Sequence, residues 1–543
     1  FGGCGEILSL GAPNHSFDQK MAINIGQHSI KFGGVYFRRN LGRSNIENPN
    51  FSYQNEADLL ANTPNGVTFT FGVDPYTATA HEFGLFVQDD WKITRTLVLN
   101  LGLRYDFFGH YVAHGPDGGP PNSFNRAGFV DDQFTLGPVR DINDPYDNDA
   151  MNLAPRLGFS YNPDGRGRTV IRGGASTMFT NLAGETVTQT VQNSLTEPFR
   201  SSFSRQEALD FGIRYPFYNA DALPLVSGGT GLGGSPRVLD PRMQAAYAIN
   251  FYLGVQREIT TNMALETAYV GVRGVKWQTS RNANLPNRFT GVRPNPLFAT
   301  MDYWDNADNT WYNAWQTSLR KRYSHNISTN FHYTWSKAIS YGSGDTGWTG
   351  SNAQDFFDLR SNRGLADGSV LHSFVADVVY DLPRLRDTHA LLRHTIGGWQ
   401  ISGIALIQGG APILITQPTG LSGSRPDYIG GPPTLDDARE TLQYLNRAAF
   451  EEVPVNSFRA GIRPGNLGRN AVRRPGQVNF DISLGKNFAI TERYRLQFRA
   501  DMFNAFNHTN LSDIETNIQS ANFGRITSTR GAREIQLNAR FSF

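Results

Sequence analysis

Apolar and polar side chains alternate with a period of two along much of this chain. The clearest run is the last one, where Ile535, Leu537, Ala539, Phe541 and Phe543 share one face and polar side chains occupy the positions between them. Strict alternation predicts a β-strand with one apolar and one polar face. A run of about ten residues is also the length of a tilted strand that crosses a bilayer.

Runs of the same kind recur from one end of the chain to the other. They predict about fifteen strands, at 16–25, 28–39, 81–93, 97–109, 153–162, 169–180, 245–258, 263–275, 312–323, 327–341, 371–382, 396–409, 477–489, 494–507 and 533–543. A further β-like run at 66–72 is assigned to a loop.

The connections between these strands alternate between short and long. The short ones are turns at 94–96, 162–165, 261–262, 324–326 and 490–493. The long ones are polar stretches at 40–80, 110–152, 181–244, 276–311, 342–370, 410–476 and 508–532. This alternation is typical of outer-membrane barrels, which have short periplasmic turns and long external loops. It also orients the last strand, whose C-terminal end is predicted to face the periplasm.

Composition narrows the class of protein. The chain carries 50 Lys and Arg against 48 Asp and Glu, and this balance argues against a nucleic-acid partner. Mean hydropathy is −0.40 and no apolar run approaches the ~18 residues of a membrane helix, which excludes a helical membrane protein. Alternating membrane strands are compatible with a low mean hydropathy, because their lipid-facing apolar residues and their polar residues average out. The single cysteine, Cys4, cannot form an internal disulfide.

The number of predicted strands indicates whether they can form a whole barrel. In lipid every backbone polar group must be paired, so the sheet must close, and bacterial single-chain barrels have an even number of strands. An odd count predicts that N-terminal strands of a larger barrel are missing, the alternative being a miscounted strand. The polar inner face suits a wet or plugged lumen, as in barrels of about 22 strands. We therefore expect an all-β antiparallel up-and-down barrel in which residues 1–543 form the C-terminal portion.

Several segments resemble the barrel of TonB-dependent outer-membrane receptors. They are HEFGLFVQDDWKITRTLVLNLGLRYDFFG at 81–109, NLAPRLGFSYNPDGRGRTVIRGGASTMF at 152–179, INFYLGVQREITTNMALETAYVGVRG at 249–274, LQFRADMFNAFNHTNL at 496–511 and FGRITSTRGAREIQLNARFSF at 523–543. Within that family the chain is most similar to the Oar-like branch.

This resemblance implies a receptor in the outer membrane of a Gram-negative bacterium. It implies uptake of a large or scarce solute, powered by TonB through a plug that is not present in this chain. The plug, a TonB box and a carboxypeptidase-regulatory-like domain are expected upstream. Outer-membrane lipid and the barrel-assembly machinery are the other implied partners. Phe541 and Phe543 resemble the terminal signal that this machinery reads, the alternative being that Phe543 is only a lipid-facing girdle residue.

Motifs that would indicate catalysis or cofactor binding are weak. Gly229, Gly231 and Gly234 have dinucleotide-motif spacing but lack the preceding strand and following helix. The acidic residues at 144–149 lack the glycine and distal glutamate of a calcium loop. We predict no catalytic, cofactor-binding or metal-ligating residue, and no enzyme.

Loop aromatics are the candidate solute contacts. Tyr303, Trp304 and Trp311 cluster in a stretch predicted to lie near one mouth of the barrel, where rings stack on sugars or other flat apolar faces. The competing interpretation is the Trp and Tyr girdle that flanks every membrane barrel. Two other functions stay open at this point: a passive porin-like channel of about 16 strands, and a soluble extracellular glycan-binding protein.

Overall fold

A computed structural model describes most of the chain, with gaps in the loops. The described residues are 6–8, 13–45, 49–71, 76–114, 125–130, 135–140, 144–181, 199–227, 237–285, 287, 292–295, 301–342, 354–356, 358–383, 389, 395, 397–417, 424–455, 463–489, 491 and 493–543. Within them, no helix is long and apolar enough to cross a membrane.

Fifteen strands of nine residues or more form one antiparallel sheet, the wall of a β-barrel. In chain order they are β1 (His15–Ile25), β2 (His28–Asn45), β3 (Tyr76–Lys92), β4 (Leu97–Phe108), β5 (Asp149–Tyr161), β6 (Thr169–Thr180), β7 (Ala246–Thr260), β8 (Met263–Asn282), β9 (Asp302–Ser324), β10 (Ile327–Ser340), β11 (His372–Asp381), β12 (Trp399–Gln408), β13 (Gln477–Ala489), β14 (Arg495–Phe503) and β15 (Glu534–Ser542). All fifteen correspond to strands predicted from the alternation.

Each strand pairs with the next one along the chain, so the sheet is an up-and-down meander. Its register places the predicted apolar faces side by side: Leu103 of β4 lies opposite Val87 of β3, and both side chains are exposed on the outside of the wall. Glu82 and Asp106, on the other face of the same two strands, are buried on the lumenal side. The alternation therefore separates a lipid face from a polar lumen, as predicted.

The short turns have the chemistry that their sequences indicate. His325 and Asn326, between β9 and β10, both have positive φ angles of 52° and 63°, which is the backbone of a two-residue hairpin turn. Between β5 and β6 the Asp164 carboxylate accepts hydrogen bonds from the amides of Arg166 and Thr169, each 2.9 Å long. Asp164 is therefore a turn residue, as its Asn-Pro-Asp-Gly context predicts.

The upper ends of two strands depart from the prediction. β8 continues to Asn282 and β9 begins at Asp302, so nearly half of the predicted loop at 276–311 is strand. A bilayer needs only about ten residues per strand, and the remainder of each strand projects on the loop side. Tyr303, Trp304 and Trp311 consequently lie within β9 and not in a loop. The prediction was wrong here because polar residues interrupt the alternation once the strands leave the membrane.

Long loops fold into two small bodies on that side of the barrel. In the first, a three-stranded sheet of Asn50–Ser52, Gly66–Phe71 and Phe199–Ser204 packs with helices Glu56–Leu60, Arg205–Asp210 and Asn219–Ser227. The β-like run at 66–72 therefore belongs to a loop, as predicted. In the second, residues of 413–472 pack with residues of 514–523 around Phe450, joining the loops after β12 and β14.

The remaining elements are short; Glu6–Leu8 precedes β1 and the others lie in the connections. They are strands Glu6–Leu8, Val112–His114, Asn125–Arg126, Val139–Arg140, Arg237–Leu239, Gly364–Leu365, Pro412–Ile413, Asp427–Tyr428, Phe450–Glu451 and Val472–Arg473, helix Ala438–Thr441, and 3-10 helices Leu359–Asn362 and Arg447–Ala449.

A buried polar network ties the second loop body to the loop after β10. Among the described residues Arg425 is the largest fully buried side chain, and it donates to Asn362 Oδ1 at 2.7 Å and to the Leu467 carbonyl at 2.9 Å. Burial, and then the nearby Arg469, lower the pKa of Arg425 to about 10. Asn362 also donates to the Tyr341 carbonyl at 2.6 Å, so its amide connects β10 to the buried guanidinium.

Replacing Asn362 with leucine is expected to loosen this connection. The substitution leaves the buried Arg425 guanidinium and the Tyr341 carbonyl each without one partner, at a local cost of roughly 2–5 kcal/mol. Hydrogen exchange at 361–367 and 463–470 should rise while exchange within β10 and β11 stays unchanged. Asn522→Leu, at an exposed position of the same loop body, is the matched control. Equal hydrogen exchange in both variants would contradict the proposed connection through the Asn362 amide.

The two outermost strands have a neighbour on one side only. Among the described residues, β1 pairs with β2 alone and β15 pairs with β14 alone. Every residue of β1 and β15 is exposed. The described strands therefore form a wall with two free edges, although a membrane barrel requires a closed sheet.

Candidate solute pathway

The lumenal face of β4–β8 carries a groove over a floor of small residues. A cavity of about 470 Å³ is lined there by inward-facing polar side chains and by glycines of neighbouring strands, among them Asn100, Arg156, Asn250, Gly158 and Gly174. The glycines lie side by side in the register, Gly158 opposite both Asn100 and Gly174. Their missing side chains create the depth of the groove. The exposed surface of the groove is mostly apolar, with a few polar side chains such as Asn100 and Arg156 among its carbon atoms.

Ion pairs surround a second lumenal cavity, of about 280 Å³, between β2 and β6. Glu82 accepts from Arg39 Nε and from Asn181 Nδ2, both at 2.6 Å, and it is almost fully buried. On β4 an Arg104 guanidinium nitrogen lies 2.6 Å from Asp106 Oδ1. These carboxylates are neutralised within the wall, so they attract no cation from the lumen.

The groove itself has an excess of positive charge. Arg172 donates to Gln256 Oε1 at 3.2 Å, and in the described part of the chain neither Arg172 nor Arg156 forms an ion pair with a carboxylate. Both guanidiniums point into the lumen beside the glycine floor. Two such charges favour an anionic group on a solute or on another segment of the protein. The sequence did not indicate these residues, because the alternation of a strand does not show whether an inward-facing arginine has a carboxylate partner on a neighbouring strand.

Tyr303 lies in a closed aromatic cluster at the top of β9. Its ring centroid is 5.1 Å from that of Phe129 and 6.0 Å from that of Phe356, and its hydroxyl donates to Asp240 Oδ2 at 3.0 Å. Burial, and then the Asp240 carboxylate, raise the pKa of the Tyr303 hydroxyl. In this conformation loop residues already cover the ring.

The other two candidate aromatics point in different directions. Trp304 is only 5% exposed and packs with Ala78, Tyr111 and Leu239 beneath the loops. Trp311 belongs to the outward face of β9, the face of the exposed Trp315 four residues further along. The structure therefore does not bring the three rings together into one solute pocket. Their role in solute contact stays a prediction, and it requires the loops to move away from Tyr303 and Trp304.

A metal site is not indicated in the described part of the chain. No group of three or more His, Cys, Asp or Glu side chains that could hold a metal ion occurs there. Asp144 and Asp147 each pair with Arg140, at 3.4 and 3.0 Å. The glycine motif at 229–234 lies outside the described residues.

Comparison with known proteins identifies the family. The model of the outer membrane beta barrel domain matches residues 3–536, nearly the whole chain. This chain belongs to that family. It is accordingly an outer-membrane protein of a Gram-negative bacterium, and the soluble extracellular alternative is excluded. A search of curated proteins found no match by sequence.

Among solved structures, an outer membrane transporter shares the fold of this chain. The outer membrane transporter YddB from Escherichia coli is 12% identical with a TM-score of 0.52, over 97% of this chain and 54% of that one. The siderophore receptor PiuA from Acinetobacter baumannii is 10% identical with a TM-score of 0.47, over 97% and 56%. The barrel described here thus spans about half the length of the solved structures that it matches.

Proposed function

We propose that this barrel is the C-terminal part of a TonB-dependent receptor of the Oar-like branch, which takes up a large or scarce solute. The observation that carries the proposal is the wall of fifteen strands with two free edges and a polar lumen. Such a wall fits a barrel of about 22 strands, a size at which known transporters have a plugged lumen. The fold shared with the transporter YddB supports the same assignment.

Energy coupling follows from this proposal. A plug upstream of residue 1 would close the lumen and connect to TonB, while the long loops would first bind the solute. The barrel would then provide a passage and a binding wall, with no covalent chemistry. The solute is a ligand of unknown class, and the excess positive charge of the groove favours one with an anionic group or an acidic plug surface.

Ion conductance separates the receptor from its main rival. A passive channel of 16 strands, only one more than the described fifteen, would conduct KCl across a planar bilayer at all times. A plugged receptor would stay closed in the same bilayer and would open after removal of the plug. We expect the whole protein, purified from outer membranes, to show no steady conductance. Stable open steps without any deletion would overturn the receptor proposal.

The groove arginines should set the ion preference of the opened barrel. Replacing Arg156 and Arg172 with glutamine removes two lumenal charges that no carboxylate neutralises in the described residues. We expect the reversal potential in a KCl gradient to shift toward cation preference. Arg104→Gln, which breaks the short pair with Asp106, is the control: it removes one positive charge where the double variant removes two, and should shift the preference in the same direction by less. No shift in the double variant would place these arginines away from the ion path.

A further inference from the structure

A group of basic side chains surrounds Trp311 on the outside of the barrel. The guanidinium carbon of Arg273 lies 5.7 Å from the centre of the Trp311 ring, and that of Arg363 lies 5.1 Å from it. The Tyr341 ring packs edge-on against the same indole at 5.6 Å. Lys337 lies close by on β10. We call Arg273, Lys337, Arg363 and Trp311 the outer basic cluster.

Strand register places this cluster on the lipid side of the wall. Trp311 lies directly opposite both Arg273 and Ile339, and Lys337 lies opposite Asn313. Side chains directly opposite each other share a face of the sheet. On β9 and β10 this is the face of Trp315 and Trp335, a directly opposed pair that is 49% and 55% exposed.

The height of the cluster matches the outer edge of the membrane. Tyr323, exposed at the turn end of β9, marks the periplasmic girdle. Trp311 lies twelve residues further along the strand, which at ~3.3 Å per residue and a tilt of about 40° is roughly 30 Å above it. The apolar band of such barrels is ~25 Å tall. The outer basic cluster therefore lies just above the Trp315–Trp335 girdle, at the level of the outer head groups.

The charges of the cluster are not neutralised within the described residues. None of Arg273, Lys337 and Arg363 has a carboxylate within ion-pair distance there. Arg273 and Arg363 are both exposed, and their stacking on Trp311 holds two positive charges at fixed positions that face the membrane. Each of these guanidiniums suits a phosphate group, to which arginine donates two parallel hydrogen bonds.

We propose that the outer basic cluster binds the phosphorylated head group of a glycolipid in the outer leaflet. The cluster faces away from the lumen and borders lipid-facing tryptophans, so the phosphate comes from a membrane lipid and not from a solute in transit. Acyl chains of the bound lipid would lie against Trp315 and Trp335, while its phosphate would be held by the arginines and Lys337. This site is independent of the solute pathway and of the proposed transport function.

Lipid retention by the whole protein tests the site. The protein is purified from outer membranes, placed in phosphatidylcholine nanodiscs and titrated with diphosphoryl lipid A, with bound lipid counted by native mass spectrometry. We expect the triple variant Arg273→Gln, Lys337→Gln, Arg363→Gln to bind lipid A roughly a hundredfold more weakly, since each basic residue near an anionic surface contributes about a factor of five. Trp311→Leu keeps the charges but removes the ring on which the two arginines stack, and it should give a smaller loss of lipid A binding.

Two controls distinguish a specific site from general charge attraction. Arg38→Gln removes an exposed outward arginine of β2 that has no tryptophan partner, and it should weaken lipid A binding by no more than the roughly fivefold that one charge near an anionic surface contributes. Dephosphorylated lipid A should bind weakly to all variants, and millimolar inorganic phosphate should not displace the phosphorylated form. Equal binding by wild type and triple variant would overturn the proposal. So would equal binding of the two lipids, or full displacement by inorganic phosphate.

Discussion

Residues 1–543 alone, refolded into detergent or lipid vesicles, are expected not to form a stable closed barrel. The free edges of β1 and β15 expose backbone groups along 11 and 9 residues. In an antiparallel sheet about half of the N–H and C=O groups of an edge strand point outward, which leaves roughly ten per edge. Each unpaired group costs several kcal/mol in hydrocarbon. The total exceeds the ~5–15 kcal/mol by which a typical domain is stable.

Gel mobility with and without heating measures this outcome. Closed barrels resist detergent at room temperature and migrate differently after boiling. We expect residues 1–543 to give only the boiled mobility, and a longer product of the same reading frame, with its upstream strands, to give both. A compact, heat-sensitive band from residues 1–543 would mean that β1 and β15 pair directly with each other. The proposal of missing strands would then be wrong.

The wall of the barrel could be predicted from sequence because its two faces have different solvents. Lipid on one side and water on the other impose alternation on every strand, and β6 and β13 begin and end where the pattern indicated. This rule stops where a strand leaves the membrane. Above that level β9 continues through Asp305, Asn306 and Asp308, whose partners come from elsewhere in the chain. Asp305 pairs with Arg281 across the strands, and Asp308 accepts the Tyr341 amide.

The candidate solute contacts were harder to predict for the same reason. The spacing of the aromatic residues in one stretch indicated a cluster, but the direction of each ring depends on the strand register and on which loops cover it. The spacing of Trp304 and Trp311 along β9 does not by itself fix their faces, because the register between β8 and β9 shifts between these two residues. The lumenal groove depends on the coincidence of glycines in neighbouring strands, such as Gly158 beside Gly174. Only the register between strands reveals that coincidence.

Replacing Phe543 with alanine is expected to reduce assembly in the outer membrane far more than it reduces stability. Phe543 is 82% exposed, and its ring contacts Phe541 at 6.1 Å, which in turn stacks on Tyr494 at 5.9 Å. The folded barrel therefore loses little packing with this ring. If the assembly machinery binds the ring, its loss removes roughly 1.5–3 kcal/mol of recognition, or about a ten- to hundredfold fall in binding.

Leu537→Ala is the matched control, since Leu537 lies on the same outward face of β15 and is also 82% exposed. The two variants are compared by the amount of heat-modifiable protein in outer membranes, and by refolding of the purified whole protein into detergent. A terminal signal predicts that only Phe543→Ala fails in cells, with refolding equal for both variants. If Phe543 is only a girdle residue, both variants should show similar, modest losses of folded protein in both assays. Phe541→Ala should resemble Phe543→Ala in cells, but with an added loss of stability from the Tyr494 contact.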